Sequence, residues 1–243
     1  MYDIHCHICY GCDDGAEDLE TAVQMVELAA DRGTSGIVAT PHCNVPGSYT
    51  NYWSEKLSAK ITALRNETAK RNINCVIYSG QEIFCTHKTV QFLKNGDLIT
   101  LNGSDYALLE FDFDETGESV YGKLQEVVAE GFIPVVAHPE RYGFVSEDVN
   151  SAVKLKSIGC LLQINKGSLE GRFGKAAFDA SHAIVSRSLA DVVASDAHSP
   201  YIRTPNMIHT HELLCEEYSY DYAELLLTEN PRRILENEKT IGY

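Results

Sequence analysis

The chain has 243 residues and a formal charge of -15, from 35 acidic against 20 basic side chains. That balance argues against nucleic acid or an anionic membrane as a partner, and no apolar run approaches the roughly 18 residues of a membrane span. No basic-then-apolar leader precedes Asp3, so the expected compartment is the cytoplasm and the eight cysteines are expected to be reduced. The length suits a single α/β barrel, typically about 250 residues. With no low-complexity tract, Pro-rich linker or charge block, residues 1–243 are expected to form one domain.

In chain order, the first apolar run is Tyr2–Ile8. Glu17–Arg32 follows with a helical period, placing Leu19, Val23, Val26 and Ala30 on one face and Gly33 as a stop. Gly36–Thr40 reads as the next strand. Ser54–Arg71, with Leu57, Ile61 and Leu64, reads as the next helix. Strands are then expected at Asn74–Ser79 and Tyr106–Phe111, a helix at Ser119–Glu130, and a strand at Ile133–Ala137. Val149–Ile158 and Gly174–Ser188 repeat the helical theme around the runs Cys160–Ile164 and Asp191–Ala194. Alternating β and α units mean a parallel sheet.

The polar residues choose between an open sheet and a barrel. His5 and His7, His42, Glu82, Glu110, His138, Asn165, and Asp196 with His198 all fall at strand ends. In a barrel those ends share one face, where active sites are built. An open sheet would spread them along a line. The expected fold is therefore a barrel-like closure of seven strands. Residues two apart in a strand project to the same side, so His5 and His7 aim together, as two ligands on one metal would. Asp196-Ala-His198 repeats the spacing at the last strand.

Several nearby patterns read differently. The spacing Cys6-x-x-Cys9-x-x-Cys12 resembles the start of a ferredoxin run but lacks the fourth Cys-Pro. Asp14 suits either a metal or the cap of the following helix. His209-x-His211 lies in a helical stretch, where residues two apart do not share a face. It is expected to be peripheral, as are His87 and His182. Asp112-x-Asp114-x-Thr116 resembles the nucleophile motif of haloacid-dehalogenase-type phosphatases. Three strand–helix units precede it, however, and it is read as an acidic loop. No cysteine is followed by five residues and an Arg, and no Walker-type loop is present.

DIHCHI, DDG, TPH, GQEI, LLEF, AHPER and SDAH, in that order, resemble the PHP (polymerase and histidinol phosphatase) superfamily. The closer resemblance is to its bacterial capsule-associated branch, the manganese-dependent tyrosine-protein phosphatases. These oppose autophosphorylating tyrosine kinases that control capsular and extracellular polysaccharide synthesis. The resemblance runs from Tyr2 to NPRRIL, nearly the whole chain. It implies a distorted seven-stranded TIM-like barrel and three divalent ions. His5, His7, Glu82 and Asp196 would hold the first. Glu82, Glu110 and His138 would hold the second, and Asp14, His42 and His198 the third. Arg141 and Arg203 match the family's two phosphate-binding arginines. The implied partner is a phosphotyrosine protein, a bacterial tyrosine kinase, and the oligomeric state stays open. Cys6 stands where Ser is common, and the length of the loop CNVPGSYTNYW is not matched.

Imidazole and carboxylate ligands without a thiolate suit manganese, iron or zinc, of which the resemblance implies manganese. Two other readings of the same residues are a histidinol-phosphate or other small phosphomonoester phosphatase, and a non-catalytic kinase-binding protein with structural metals. No residue stands out as a general acid.

Overall fold

A computed structural model describes residues 1–243. Each of the seven expected apolar runs forms a strand. These are β1 (Tyr2–Cys6), β2 (Gly36–Ala39), β4 (Val76–Ser79), β6 (Tyr106–Glu110), β7 (Ile133–Ala137), β8 (Leu161–Asn165) and β9 (Val192–Ala194). Two further short strands, β3 (His42–Cys43) and β5 (Glu82–Phe84), follow β2 and β4 directly. All ladders are parallel.

The expectation of seven strands in a single closed barrel is corrected by the ladder order. The strands form a three-stranded sheet, β1-β2-β4, and a six-stranded sheet, β3-β5-β6-β7-β8-β9. The chain passes directly from the smaller sheet to the larger twice, at Thr40-Pro41 and at Gly80-Gln81, returning between them through helix Glu55–Lys70. Pro41 has no N–H to give a ladder, and a Cβ on Gly80 would lie 2.7 Å from Val38 Cγ1. Both bends come directly after strands read from the sequence, Gly36–Thr40 and Asn74–Ser79, and the short strands beyond them are not among the expected ones. On the far side, the His7 N–H donates to the Ala197 carbonyl at 2.9 Å, beside a parallel bridge between Cys6 and Ala197.

The helices match the apolar periods, and several carry side-chain caps. Asp18 caps Leu19–Ala30, its carboxylate accepting from the Thr21 N–H. Ser54 caps Glu55–Lys70, and Thr116 caps Gly117–Ala129. Each such cap supplies a partner for an otherwise orphaned N–H, a contribution of about 1 kcal/mol.

The core explains the position of the site. One apolar cluster packs helices Leu19–Ala30 and Glu55–Lys70 on the smaller sheet, through Val23, Val26, Ile61 and Leu64. The largest packs helices onto the six-stranded sheet. A third joins Ile4 and Val38 of the smaller sheet to Leu108, Val135, Leu161 and Val192 of the larger. This apolar plug lies between the sheets, and the polar strand ends are gathered beyond it. No helix is long and apolar enough to cross a membrane.

Candidate metal centre

His5 and His7 bring their Nε2 atoms to 3.3 Å of one another, while Cys6 packs into the apolar cluster with Ile8 and Val23. The β1–β2 register shifts between Asp3 and Cys6, an irregularity of the kind that re-aims side chains next to active sites. Ladder register supplies the next pair, since His42 of β3 is the direct partner of Glu82 of β5. His42 Nδ1 lies 2.9 Å from both Glu82 Oε2 and Glu110 Oε1. His138 follows β7 and Asp196 closely follows β9. Both have a left-handed backbone, at φ 38° and 49°, which is uncommon for non-glycine residues and concentrated at functional sites.

These donors converge. Glu82 Oε1 is 3.2 Å from His5 Nε2 and 2.9 Å from His138 Nε2. Asp196 Oδ1 is 3.5 Å from both His5 Nε2 and His7 Nε2. Asp14 Oδ1 is 3.6 Å from His42 Nε2 and 3.5 Å from His198 Nε2. Three sets have donor atoms that all lie within 4.8 Å of one another: His7, Asp14, His42 and His198; His5, His7 and Asp196; and His42, Glu82 and Glu110. Asp14 is therefore not the helix cap, a place that Asp18 takes.

A second ring of polar groups sets ring orientation. His7 Nδ1 donates to Asp13 Oδ2 at 2.8 Å, and the His42 backbone N–H donates to the same oxygen at 2.8 Å. His5 Nδ1 donates to Gln163 Oε1 at 2.7 Å. The Gln163 amide donates to Asn165 Oδ1, which in turn donates through Nδ2 to Asp196 Oδ2. His198 Nδ1 donates to the Asp196 carbonyl. With Nδ1 so engaged, His5, His7 and His198 each turn an Nε2 lone pair toward the centre, the arrangement that orients imidazole ligands. Asp13 and Gln163 were missed from the sequence. Their signals were present: a carboxylate beside Asp14 in DDG, and Gln163-x-Asn165 with the same two-residue spacing as His5-x-His7.

Charge in the centre is strongly coupled. Burial opposes ionisation of Glu82, yet His5, His42 and His138 hold its carboxyl well below the usual range. Burial and the Glu82 charge push Glu110 up to about 7. Burial works against a charge on His42, but Glu82 and Glu110 raise it to about 10. Burial and the neighbouring His7 lower His198. Buried Glu82 Oε2 and His198 Nε2 also lack a hydrogen bond. Imidazole lone pairs and carboxylate oxygens facing common points, with polar atoms left unsatisfied, fit divalent cations.

Two guanidinium groups border the cluster. Arg203 Nη2 is 2.6 Å and Arg141 Nη1 3.6 Å from Asp196 Oδ2. Arg141 lies between Phe113 and Phe173, 4.5 and 4.4 Å from the two ring centroids. Neither arginine pairs with Glu140, whose Oε1 accepts from the Asn165 N–H and the Ser168 hydroxyl. The structure thus gathers His5, His7, Asp14, His42, Glu82, Glu110, His138, Asp196 and His198, with Arg141 and Arg203 at the rim.

None of the alternative motifs supplies a donor to these sets. His209 is exposed on helix Ile208–Glu217, and His211 pairs with Glu224 at 3.0 Å. His87 faces Glu126, and His182 faces Tyr218 and Glu217. Asp112 accepts from the Asp114 N–H in an exposed loop. All eight cysteines are free.

Known proteins resemble this chain along nearly its whole length. Tyrosine-protein phosphatase YwqE of Bacillus subtilis is 36% identical over 242 residues, 98% of this chain and 92% of the relative. Tyrosine-protein phosphatase CpsB of Streptococcus pneumoniae is 30% identical over 240 residues, 97% of this chain and 98% of the relative. A crystal structure described as YwqE from Bacillus subtilis and CpsB from Streptococcus pneumoniae, unique metal-dependent tyrosine phosphatases, superposes with a TM-score of 0.93. It is 33% identical and covers 100% of this chain and 97% of its own. Residues 1–236, which hold every donor described above, match the family described as Capsular polysaccharide synthesis, CpsB/CapC, and the chain belongs to that family.

Proposed function

We propose that the protein is a metal-dependent protein-tyrosine phosphatase acting in capsular or extracellular polysaccharide synthesis, with an autophosphorylating bacterial tyrosine kinase as substrate. The reading takes residues 1–243 as one cytoplasmic domain whose two sheets serve as a single barrel-like frame. The observation that carries it is that Asp196 faces the imidazoles of the cluster with Oδ1 and both arginines with Oδ2.

Three ions, manganese in this reading, suit the donors. The short distances from Glu82 to His5, His7 and His138 support its being shared between the first two sets, although the donors nearest Glu110 are Glu82 and His42 rather than His138. Asp14, His42 and His198 form the third set. Bound divalent ions supply charge neutralisation at phosphate oxygens and lower the pKa of water. Arg141 and Arg203 contribute N–H donors to the equatorial oxygens, through charge-assisted bonds that a planar fork aligns. The stacking rings fix the plane of Arg141, so that its unused N–H groups are held in place. Tyrosine leaves as a phenol of pKa about 10, which reduces the demand for a general acid.

The test pairs metal analysis with hydrolysis. Manganese-loaded protein should release phosphate from a phosphotyrosine peptide, lose that activity with a chelator, and act poorly on histidinol phosphate. Fully loaded protein without phosphotyrosine hydrolysis would overturn the reading. A preference for histidinol phosphate would move it to the small-molecule phosphatases.

A further inference from the structure

A cavity of about 230 Å³ opens beside the cluster. His42 and Glu110 form its polar end, Val45, Tyr49, Phe84 and Phe113 form most of its walls, and the exposed Asp112 borders it. Val45 and Tyr49 come from the loop after β3, in the stretch CNVPGSYTNYW, whose Asn51 braces the His42 carbonyl at 2.7 Å, whereas the Val45 side chain faces the cavity. The Tyr49 ring stacks on His42 at 5.7 Å and 9°. Across the cavity, Phe113 is 42% exposed and lies against Arg141. Ions and a phosphate group are held by polar atoms alone, so these apolar walls need another occupant. An exposed large apolar side chain at the mouth of a polar site is the informative kind of exposure.

Size and shape restrict that occupant. Pockets for drug-sized ligands run roughly 300–1,000 Å³, and this one is smaller, suited to a single ring. Aromatic side chains favour a further ring with centroids about 4.5–7 Å away. The polar end demands that the ring carry its charged group there, toward His42, Glu110 and Arg141. A phosphoserine or phosphothreonine side chain would leave the walls unfilled.

We propose that this cavity is the aryl subsite: the phenyl ring of phosphotyrosine lies between Tyr49 and Phe113, with its phosphate at the His42–Glu110 end. The inference rests on the phosphatase reading and adds the residues that select aryl over alkyl esters. It gives the loop after β3 the role of a specificity wall.

Non-hydrolysable probes separate ring binding from chemistry. Benzylphosphonate and ethylphosphonate carry the same charged group, and only the first carries a ring. Calorimetry on manganese-loaded protein should show benzylphosphonate binding about tenfold or more tighter. Tyr49→Ala should erase most of that ratio, and Tyr49→Phe should keep it, because the ring and not the hydroxyl is used. Val45→Trp, which fills the cavity, should weaken benzylphosphonate far more than ethylphosphonate. Phe113 is less suitable for the test, since its loss also frees Arg141. Metal content measured on each variant checks that the centre is intact. Equal affinity for the two probes, or an unchanged ratio in both Tyr49→Ala and Val45→Trp, would overturn the subsite while leaving the phosphatase reading in place. Failure of loaded protein to bind either phosphonate would overturn both.

Discussion

Asp196 uses its two oxygens for different partners. Oδ1 faces His5, His7 and His198, while Oδ2 takes Arg203, Arg141 and Asn165. In the proposed reading, metal binding and phosphate binding would meet on one carboxylate yet involve different side chains, and substitution should separate them. Glu82→Ala should lose bound metal and activity together, whereas His209→Ala should change turnover little. Arg141→Ala and Arg203→Ala should keep the metals, because a guanidinium has no lone pair to give. Each should lose about 2–4 kcal/mol of transition-state stabilisation if it acts as an oxyanion donor does, with Lys recovering only part. Steady-state kinetics on a phosphotyrosine peptide, with metal content from the same samples, decides this; wild-type rates in both alanine variants would remove the arginines from the mechanism. Glu140 makes a different kind of prediction. Burial pushes its carboxyl up to about 7, against the lowering effect of Ser168 and Asn165. A raised carboxyl binds its proton more tightly in the folded state, so stability falls as pH rises from the unfolded value toward 7 and then levels off. At about 1.4 kcal/mol per unit the loss is at most roughly 3 kcal/mol. Denaturant unfolding at pH 5 and pH 8 should therefore show a smaller drop for Glu140→Gln than for wild type, and equal drops would refute the account.

Among the elements, the DDG turn is the most constrained. A Cβ at Gly15 would sit 2.3 Å from the His7 carbonyl oxygen and 2.4 Å from His7 Cβ, and the Ala16 N–H donates to that carbonyl. The turn is pressed onto the strand it serves, which places Asp13 on His7 and Asp14 on His198. Gly15→Ala should force the turn away, costing about 1–3 kcal/mol as overpacking does. It should also lower the metal bound per chain; unchanged melting and metal content would count against this view. The same turn shows how far sequence reading reaches. Alternation in β1 made the paired aim of His5 and His7 legible, because a strand's period is local. The roles of Asp13 and Gln163 were not legible, because each depends on which ring nitrogen lies opposite across the fold. The bends at Pro41 and Gly80 were likewise hidden. Strands of two and three residues, β3 and β5, carry too little pattern to be read as strands. The acidic loop at Asp112 and the helical placement of His209 and His211 were legible, since position along the chain and helical period decided them.

For the molecule as a whole, the formal charge of -15 includes carboxylates packed around one centre, where added cations offset their repulsion. Ligands that bind only the folded state stabilise it by about 4 kcal/mol at a thousandfold excess over Kd. Manganese should accordingly raise the melting temperature, and a chelator should lower it. The rise should be much smaller in Glu82→Ala, as read by calorimetry; an equal rise there would place the stabilising ions elsewhere. The donors also come from both sheets, so the ions would pin the two together. The closure beside them joins Cys6 to Ala197, residues 191 positions apart. That separation sets an order in time. During synthesis His5 and His7 emerge first, and the strand that brings Asp196 and His198 emerges near the end. The sets that need Asp196 or His198 are complete only once almost the entire chain is available, so filling of the whole centre would be a late event, and a chain truncated before β9 would lack two of the three sets.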